Sequence, residues 1–201
     1  MPVELDHVIL AVDDLATAAD ELARRYGLPS VQGGRHAGWG TANRIIPLGD
    51  TYVELIAVVD ADEAATSDFG RWVASSNGLL GWAVRTNDLD ATAQRLGLAV
   101  GGGSRPTADG SILRWRSAGV EAARDAPALP FFLEWDPSGT HPGRAAAPAD
   151  ATIERIVVRG DADRIASWLG PHDDLPLVVE PGPPELAAVV LVTPRGEIAL
   201  G

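Results

Sequence analysis

The sequence predicts an α+β fold assembled from repeated βαβββ modules, and two observations indicate it. The segment LDHVILAVDDLATAADELARRYGL near the start has the pattern of a strand, a turn and an amphipathic helix, and residues 79–97 show the same order. Further β-rich segments separated by turn residues follow each of these pairs. Residues 152–169 repeat the strand and helix more faintly. Internal repetition of this kind constrains a fold more than any single segment does.

The first module is expected in residues 1–60. Apolar residues at a spacing of three to four predict its helix, with Asp13 or Asp14 as the N-cap and Gly27 at the C-terminal end. Three β-rich segments follow within residues 31–58. The order βαβββ is therefore complete before residue 60.

The second module is expected in residues 61–143. A polar, alanine-rich stretch at residues 60–77 predicts a connecting helix ahead of the repeated strand and helix. The glycine-rich stretch 101–110 predicts a turn or loop, and residues 121–128 predict another loop. Strands are expected at residues 111–120 and 130–136.

Residues 144–201 are expected to hold a linker and a partial third module of order βαββ. The stretch 137–150 is rich in Pro, Gly and Ala, which is typical of a linker. The third copy supplies a strand and a helix in residues 152–169, followed by further strand candidates.

Composition excludes several classes of function. The chain has no cysteine, so it forms no disulfide, thiolate metal site or cysteine nucleophile, and its 16 basic residues are all arginine, which rules out a Schiff-base or P-loop lysine. A net charge of −12 disfavours nucleic acid and anionic membranes as partners. Without a membrane-spanning apolar run or a signal-peptide pattern, a cytoplasmic protein is expected.

His7 and Glu54 are the first candidates for chemistry. A histidine and a glutamate on strands that point to one face can bind a divalent metal ion. The alternative is a hydrogen-bonded core histidine and a glutamate paired with an arginine. Glu54 and Glu134 each lie within an apolar strand segment, where charged residues are rare unless they are paired, ligating or functional.

The repeats, with His7 in LDHVIL and Glu54 in YVELI, resemble the vicinal oxygen chelate superfamily, which includes glyoxalase I, extradiol dioxygenases and bleomycin-resistance proteins. More narrowly, residues 35–58 (RHAGWGTANRIIPLGDTYVELIAV) and 130–143 (PFFLEWDPSGTHPG) resemble glyoxalase-like domain proteins. The resemblance covers most of residues 3–143. It implies that two modules pair into a curved, half-open sheet whose concave face holds a metal ion and the substrate.

The resemblance also implies metal ligands at His7, Glu54 and Glu134. The fourth ligand position holds Gly81, so a complete four-ligand glyoxalase I site is absent. One histidine and two carboxylates can still hold Mn²⁺, Fe²⁺, Ni²⁺ or Zn²⁺ with open positions. The alternative is that the metal is lost and the pocket only binds a ligand.

His36, Asn43 and Thr41 form a second group, with an expected role in binding the substrate. Adjacent strands can bring His36 and Asn43 near Glu54, where they can donate hydrogen bonds to a substrate oxygen, and His36 can also substitute as a metal ligand. The alternative places His36 in a surface loop and Asn43 in a turn. Surface positions in loops are expected for the other two histidines, His141 and His172.

The leading functional hypothesis is a divalent-metal-dependent lyase, isomerase or dioxygenase acting on a small oxygenated substrate. The metal would polarise a carbonyl and stabilise an enolate-like intermediate, while Glu54 or Glu134 moves the proton. The alternative is a non-catalytic small-molecule binding protein of the bleomycin-resistance type, which Gly81 favours. Two modules in one chain permit a monomer, and a homodimer is the other expected state.

Overall fold

The computed structural model describes residues 2–107, 110–144 and 146–201. Residues 108 and 109 of the expected 101–110 loop and residue 145 of the expected linker lie outside the described residues. Within the described ranges, no helix is both long enough and apolar enough to cross a bilayer.

The first module folds as a βαβββ unit whose helix ends are set by its acidic turn and its glycine. The Asp14 carboxylate accepts a hydrogen bond of 2.7 Å from the backbone N–H of Thr17, and Gly27 ends the helix in the left-handed region at φ 71°. Its elements are β1 (Glu4–Ala11), α1 (Leu15–Tyr26), β2 (Val31–His36), β3 (Thr41–Pro47) and β4 (Tyr52–Val58).

The second module repeats this order after two short connecting helices. The Asp88 carboxylate caps its main helix by accepting a hydrogen bond of 3.0 Å from the backbone N–H of Ala91. The elements are α2 (Ala61–Ala64), α3 (Asp68–Ala74), β5 (Gly78–Arg85), α4 (Leu89–Leu96), β6 (Val100–Pro106), β7 (Ile112–Ala118), α5 (Val120–Asp125) and β8 (Phe131–Trp135).

Two loop predictions in this module are wrong. The stretch 101–110 contains most of β6, and the stretch 121–128 contains most of α5. In β6 the glycines serve packing, because a Cβ at Gly103 would lie 2.3 Å from the indole of Trp115 on the adjacent strand. Glycine therefore lets a large aromatic ring lie against this strand. Because glycine-rich stretches are also typical of turns, the sequence of this strand indicates a turn.

The two modules form one eight-stranded sheet in the order β2-β3-β4-β1-β5-β8-β7-β6. The first strands of the modules, β1 and β5, pair antiparallel at its centre, and each also pairs in parallel with the last strand of its own module. The edge strands β2 and β6 contact each other, and a Cβ at Gly34 would lie 2.8 Å from the carbonyl oxygen of Pro106. A sheet whose edges meet must curl, which confirms the paired-module sheet with a concave face.

The last segment has the element order of a module but a different strand pairing. It contains β9 (Thr152–Arg159), α6 (Ala162–Leu169), β10 (Leu177–Glu180), β11 (Glu185–Thr193) and β12 (Gly196–Leu200), and it follows a short 3₁₀ turn at Pro142–Arg144. The four strands form a separate sheet in the order β10-β9-β11-β12. The first strand, β9, pairs with the second and third strands rather than with the last. The repeat in sequence is therefore not a repeat of the sheet topology.

The larger apolar core lies between the two sheets and their helices. Trp82 and Phe132 of the eight-stranded sheet and Ile156 and Val189 of the four-stranded sheet are fully buried in one cluster. A second, smaller cluster on the other face of the eight-stranded sheet includes Trp72 of α3. The helix-covered face thus supplies the main core, and the concave face is left to form a cavity.

Candidate functional site

A cavity of about 320 Å³ lies on the concave face of the eight-stranded sheet. This volume is at the lower end of the range of small-molecule sites. Strands of both modules contribute, and α3 and α5 add side chains at the rim. Its wall is largely aromatic, formed by Trp39, Phe69, Trp115, Phe131 and Trp135. Its polar lining includes His7, His36, Asn43, Tyr52, Glu54 and Arg105.

A β-bulge in β1 brings Asp6 to this site. Leu5 pairs with Val84 and His7 pairs with Ala83, so Asp6 is the extra residue on one strand. Bulges redirect side chains that strict alternation would send to the opposite face. Asp6 is fully buried and forms a hydrogen bond of 2.6 Å between its Oδ1 and Nδ1 of His7. Sequence analysis misses Asp6 because a bulge leaves no mark in the pattern of residue types.

The Asp6 carboxylate is held in its charged form. Burial raises its pKa, but hydrogen bonds from His141 and His7 outweigh burial, and the pKa of Asp6 lies well below its usual range. Its Oδ2 also accepts hydrogen bonds from Nε1 of Trp135 at 2.7 Å and from Nε2 of His141 at 3.1 Å. A charged Asp6 makes Nδ1 of His7 a hydrogen-bond donor, so Nε2 is the nitrogen that faces the cavity.

His7 and Glu54 meet at the floor of the cavity. Nε2 of His7 lies 3.5 Å from Oε2 of Glu54, and both side chains are buried. The imidazole stacks on the ring of Tyr52 with 4.5 Å between centroids, which fixes its plane. Glu54 pairs with no arginine among the described residues, so its only ion-pair partner there is His7. The structure therefore joins these two sequence candidates and disfavours the arginine-paired alternative for Glu54.

His36, Asn43 and Thr41 form a buried chain of hydrogen bonds that ends at Glu54. Nδ2 of Asn43 donates to Oε1 of Glu54 at 2.5 Å and lies 3.4 Å from Nε2 of His36. Nδ1 of His36 lies 3.0 Å from Oγ1 of Thr41. Burial lowers the pKa of His36, and the positive charge of Arg105 lowers it further, whereas the charge of Glu54 raises it. The net effect is a lowered pKa, which favours the neutral ring. The surface-loop alternative for His36 is wrong.

Glu134 lies apart from the other candidates. Phe131, Leu133 and Trp135 of β8 line the cavity, and Glu134 alternates with them onto the opposite face. Its Oε2 accepts a hydrogen bond of 2.8 Å from Nη1 of Arg116. The structure does not bring Glu134 to His7 and Glu54, so the expected three-residue ligand set is not assembled.

Strand pairing shows which residue of the second module corresponds to Glu54. Glu54 lies opposite Ile9 of β1, and Phe131 lies opposite Ala83 of β5. Ile9 and Ala83 hold the same place in the two modules, because each is the sixth residue of its strand. Phe131 therefore takes the place of Glu54, and matching Glu134 to that place is wrong by three residues.

The side chains at this site do not fit a three- or four-ligand metal centre. Across the part of the chain that the structure describes, no three His, Asp or Glu side chains converge as such a centre requires. In the second module, Gly81 and Phe131 hold the places that His7 and Glu54 hold in the first. The indole of Trp72 covers Gly81, where a Cβ would lie 3.2 Å from its Cη2. His7 and Glu54 are the two side chains that meet here as possible metal donors.

His141 and Arg105 belong to the site although the sequence did not mark them. The expected surface position of His141 is wrong, since its ring lies 5.5 Å from the ring of Trp135 and 5.6 Å from that of Tyr52 while Nε2 bonds to Asp6. Its proline-rich segment gives no local signal for this long-range contact. Arg105 lines the cavity from β6, within the stretch 101–110 for which the sequence predicts a turn or loop.

Comparison with known proteins agrees with this architecture. A hypothetical protein from Staphylococcus aureus superposes with a TM-score of 0.63 at 19% identity, covering 99% of this chain and 84% of that one. Methylmalonyl-CoA epimerase from Mycobacterium tuberculosis gives 0.48 at 20% identity over 67% of this chain and 88% of that one. A Streptomyces coelicolor methylmalonyl-CoA epimerase in complex with 2-nitronate-propionyl-CoA gives 0.48 at 19% identity over 66% and 96%.

At 19% identity, the match to the Staphylococcus aureus protein shows the fold alone. No match was found among curated proteins. The family model described as a glyoxalase-like domain matches residues 5–172, which is more than half of the chain. The chain therefore belongs to the glyoxalase-like domain family.

Proposed function

We propose that this protein is an enzyme that moves a proton on a small oxygenated substrate, as a lyase or isomerase does, with Glu54 as the base. The observation that carries this proposal is the pair formed by Glu54 and His7, 3.5 Å apart and buried on the floor of the cavity. Burying a carboxylate without an arginine or lysine partner costs free energy. A fold retains such a group more readily when the group has a chemical role.

The arrangement around Glu54 suits proton transfer. Asn43 holds Oε1, so Oε2 is directed toward His7 and the cavity. In the proposed reaction a C–H proton beside a carbonyl passes to Glu54 while the electron pair moves onto the carbonyl oxygen as an enolate. Glu54 returns the proton, directly or through Nε2 of His7, to a different face or carbon. In this proposal His36, Asn43 and Thr41 position the carboxylate for substrate binding.

Members of the vicinal oxygen chelate superfamily, which the sequence resembles, often use divalent metals. The donor set of this site gives the least support to the hypotheses of a metal-dependent reaction and of a dioxygenase. A non-haem iron dioxygenase needs two histidines and a carboxylate around the metal. His7 and Glu54 provide one of each, and the corresponding positions of the second module hold Gly81 and Phe131. The proposed proton transfer therefore uses side chains alone.

A non-catalytic binding protein is the second candidate, and one observation favours it. Phe131 stands where a second ligand-type side chain would be, and it adds to an aromatic wall that can hold a ligand without reacting. This candidate uses the same cavity and the same class of small molecule. The two candidates differ only in whether bound ligand exchanges a proton with the protein.

Solvent-deuterium exchange separates these candidates. Pyruvate, 2-oxobutyrate and phenylpyruvate carry acidic C–H bonds beside a ketone, and NMR in D₂O follows their exchange. The wild-type protein is expected to accelerate exchange for at least one of them, and Glu54→Gln to reduce that rate by about 100-fold or more. Glu134→Gln, the same substitution outside the cavity, is expected to retain the wild-type rate. Binding without exchange would support the second candidate, and equal losses in both variants would contradict the role of Glu54.

A further inference from the structure

We propose that Arg105 forms an anion-binding subsite of the cavity and that the natural ligand is a small carboxylate. This inference rests on the proposed function in taking the cavity as the ligand site, and it adds the chemical class of the ligand. It does not depend on whether Glu54 moves a proton.

Among the residues that the structure describes, Arg105 is a buried charge with no carboxylate paired to it. Only 7% of the residue is exposed, and within the described ranges it forms no ion pair. Its hydrogen bond there is a long one of 3.5 Å from Nη1 to the carbonyl oxygen of Pro106. A guanidinium keeps its charge in proteins and carries five N–H donors, so burial in this state costs free energy that an anionic ligand can recover.

The surroundings of Arg105 are built to admit its side chain. Gly34 of β2 lies against it, since a Cβ there would be 3.2 Å from Cδ and 3.4 Å from Nη1 of Arg105. A glycine at this crossing of the two edge strands therefore leaves room for the arginine stem. Arg105 lines the same cavity as Glu54 and Trp115, and its charge lowers the pKa of the buried His36.

The charges of the cavity favour one carboxylate over a more highly charged anion. Arg105 supplies one positive charge to the cavity lining, whereas Glu54, Asp68 and Glu121 already supply negative ones. A single carboxylate can accept two parallel hydrogen bonds from the guanidinium. A phosphate dianion would leave excess negative charge in a cavity of about 320 Å³. With its carboxylate on Arg105, a small ligand also places its remaining atoms among the aromatic side chains.

The test compares an acid with its neutral counterpart by equilibrium titration. Phenylpyruvate and its primary amide share a carbon skeleton and differ in charge at one end, and quenching of tryptophan fluorescence or calorimetry reports binding. The wild-type protein is expected to bind the acid about tenfold or more tightly than the amide, the size of a charge-assisted hydrogen bond. Arg105→Gln is expected to remove this preference and to leave amide binding within about twofold.

Arg114→Gln is the matched control, because Arg114 is exposed on the neighbouring strand β7. It is expected to keep the wild-type preference for the acid. Arg105→Lys keeps the positive charge and is expected to retain part of the preference, which covers the case in which Arg105→Gln fails to fold.

Equal binding of acid and amide by the wild-type protein would overturn the subsite, and so would failure of both compounds to bind at millimolar concentration. An unchanged preference in Arg105→Gln, or an equal loss in Arg114→Gln, would do the same. Because binding is the readout, a preference for the acid without deuterium exchange would keep the subsite and remove the proposed reaction.

Discussion

The indole of Trp72 occupies the space that a side chain at Gly81 would need, with 3.2 Å between its Cη2 and a Cβ at that position. Trp72 belongs to the connecting helix α3 and is buried against the concave face of the sheet. The space beside residue 81 is therefore filled by an aromatic side chain. A histidine introduced at residue 81 would meet this ring.

The Gly81→His substitution is expected to destabilise the protein rather than create a metal site. Overpacking a closed region costs about 1–3 kcal/mol, and we expect a loss of that size in the free energy of unfolding, measured by urea denaturation. In a double-mutant cycle with Trp72→Ala, the combined loss should be smaller than the sum of the single losses, because the smaller side chain removes the clash. Strict additivity would show that Trp72 and residue 81 do not compete for space.

Divalent metals are expected to have little effect on thermal stability. With two donors at the site, binding at a metal concentration near its dissociation constant would raise the melting temperature by only about 1 °C. Differential scanning fluorimetry with Mn²⁺, Ni²⁺, Zn²⁺ and Fe²⁺ on tag-free protein, with EDTA as the reference, measures this shift. A rise of several degrees that disappears in Glu54→Gln would show that His7 and Glu54 recruit further ligands.

Asp6 is expected to stabilise the site through its charge. The Asp6→Asn substitution keeps the shape of the side chain but weakens hydrogen bonds from His7, His141 and Trp135. We expect the free energy of unfolding to fall by about 2 kcal/mol or more, since buried hydrogen bonds to charged groups are stronger than neutral ones. Asp13→Asn, an exposed position beyond the end of β1, is the control and should change it little. Similar losses in the two variants would contradict the network around Asp6.

Stability is expected to depend on pH through His36. Its pKa is lowered in the folded protein, so the unfolded chain binds a proton more readily. The stabilisation is therefore complete above about pH 6.5, the ordinary value for histidine, and is lost as the pH falls below it. The slope of unfolding free energy between about pH 6.5 and pH 5 should be smaller in His36→Gln than in the wild type. His172→Gln serves as the reference, and an equal slope in His36→Gln and the wild type would exclude His36 as the source.

The module order follows from local signals and is therefore readable in the sequence. Asp14, Asp88 and Asp161 each accept a hydrogen bond from the backbone of the following helix. These caps and the periodicity of the helices depend on neighbouring residues only. The strand pairing of the last segment is set by long-range contacts, so the same element order leads to a different sheet there.

The sequence identifies candidate site residues only where a polar residue type occurs on the strand face that points toward the cavity. His7, Glu54, Asn43 and His36 are polar residues within apolar or glycine-containing strands, and they converge. The face that Glu134 takes depends on strand register, and a shift of one residue reverses the face of a side chain.

Asp6 and Arg105 belong to the site, but no sequence pattern identifies them. The bulge that turns Asp6 inward and the glycine, Gly34, that leaves room for Arg105 can be recognised only once the strands are paired. Sequence patterns therefore reveal the first module's half of the site and miss the residues that position or complement it.

A crystal structure of the complex with phenylpyruvate tests the central claim most directly. The ligand is expected in the cavity on the concave face, with its carboxylate within hydrogen-bond distance of Arg105 and its C3 carbon facing Oε2 of Glu54. Binding in the open groove beside Arg114 and Glu134, with the cavity free of ligand, would contradict the assignment of His7, Glu54 and Arg105 to one functional site.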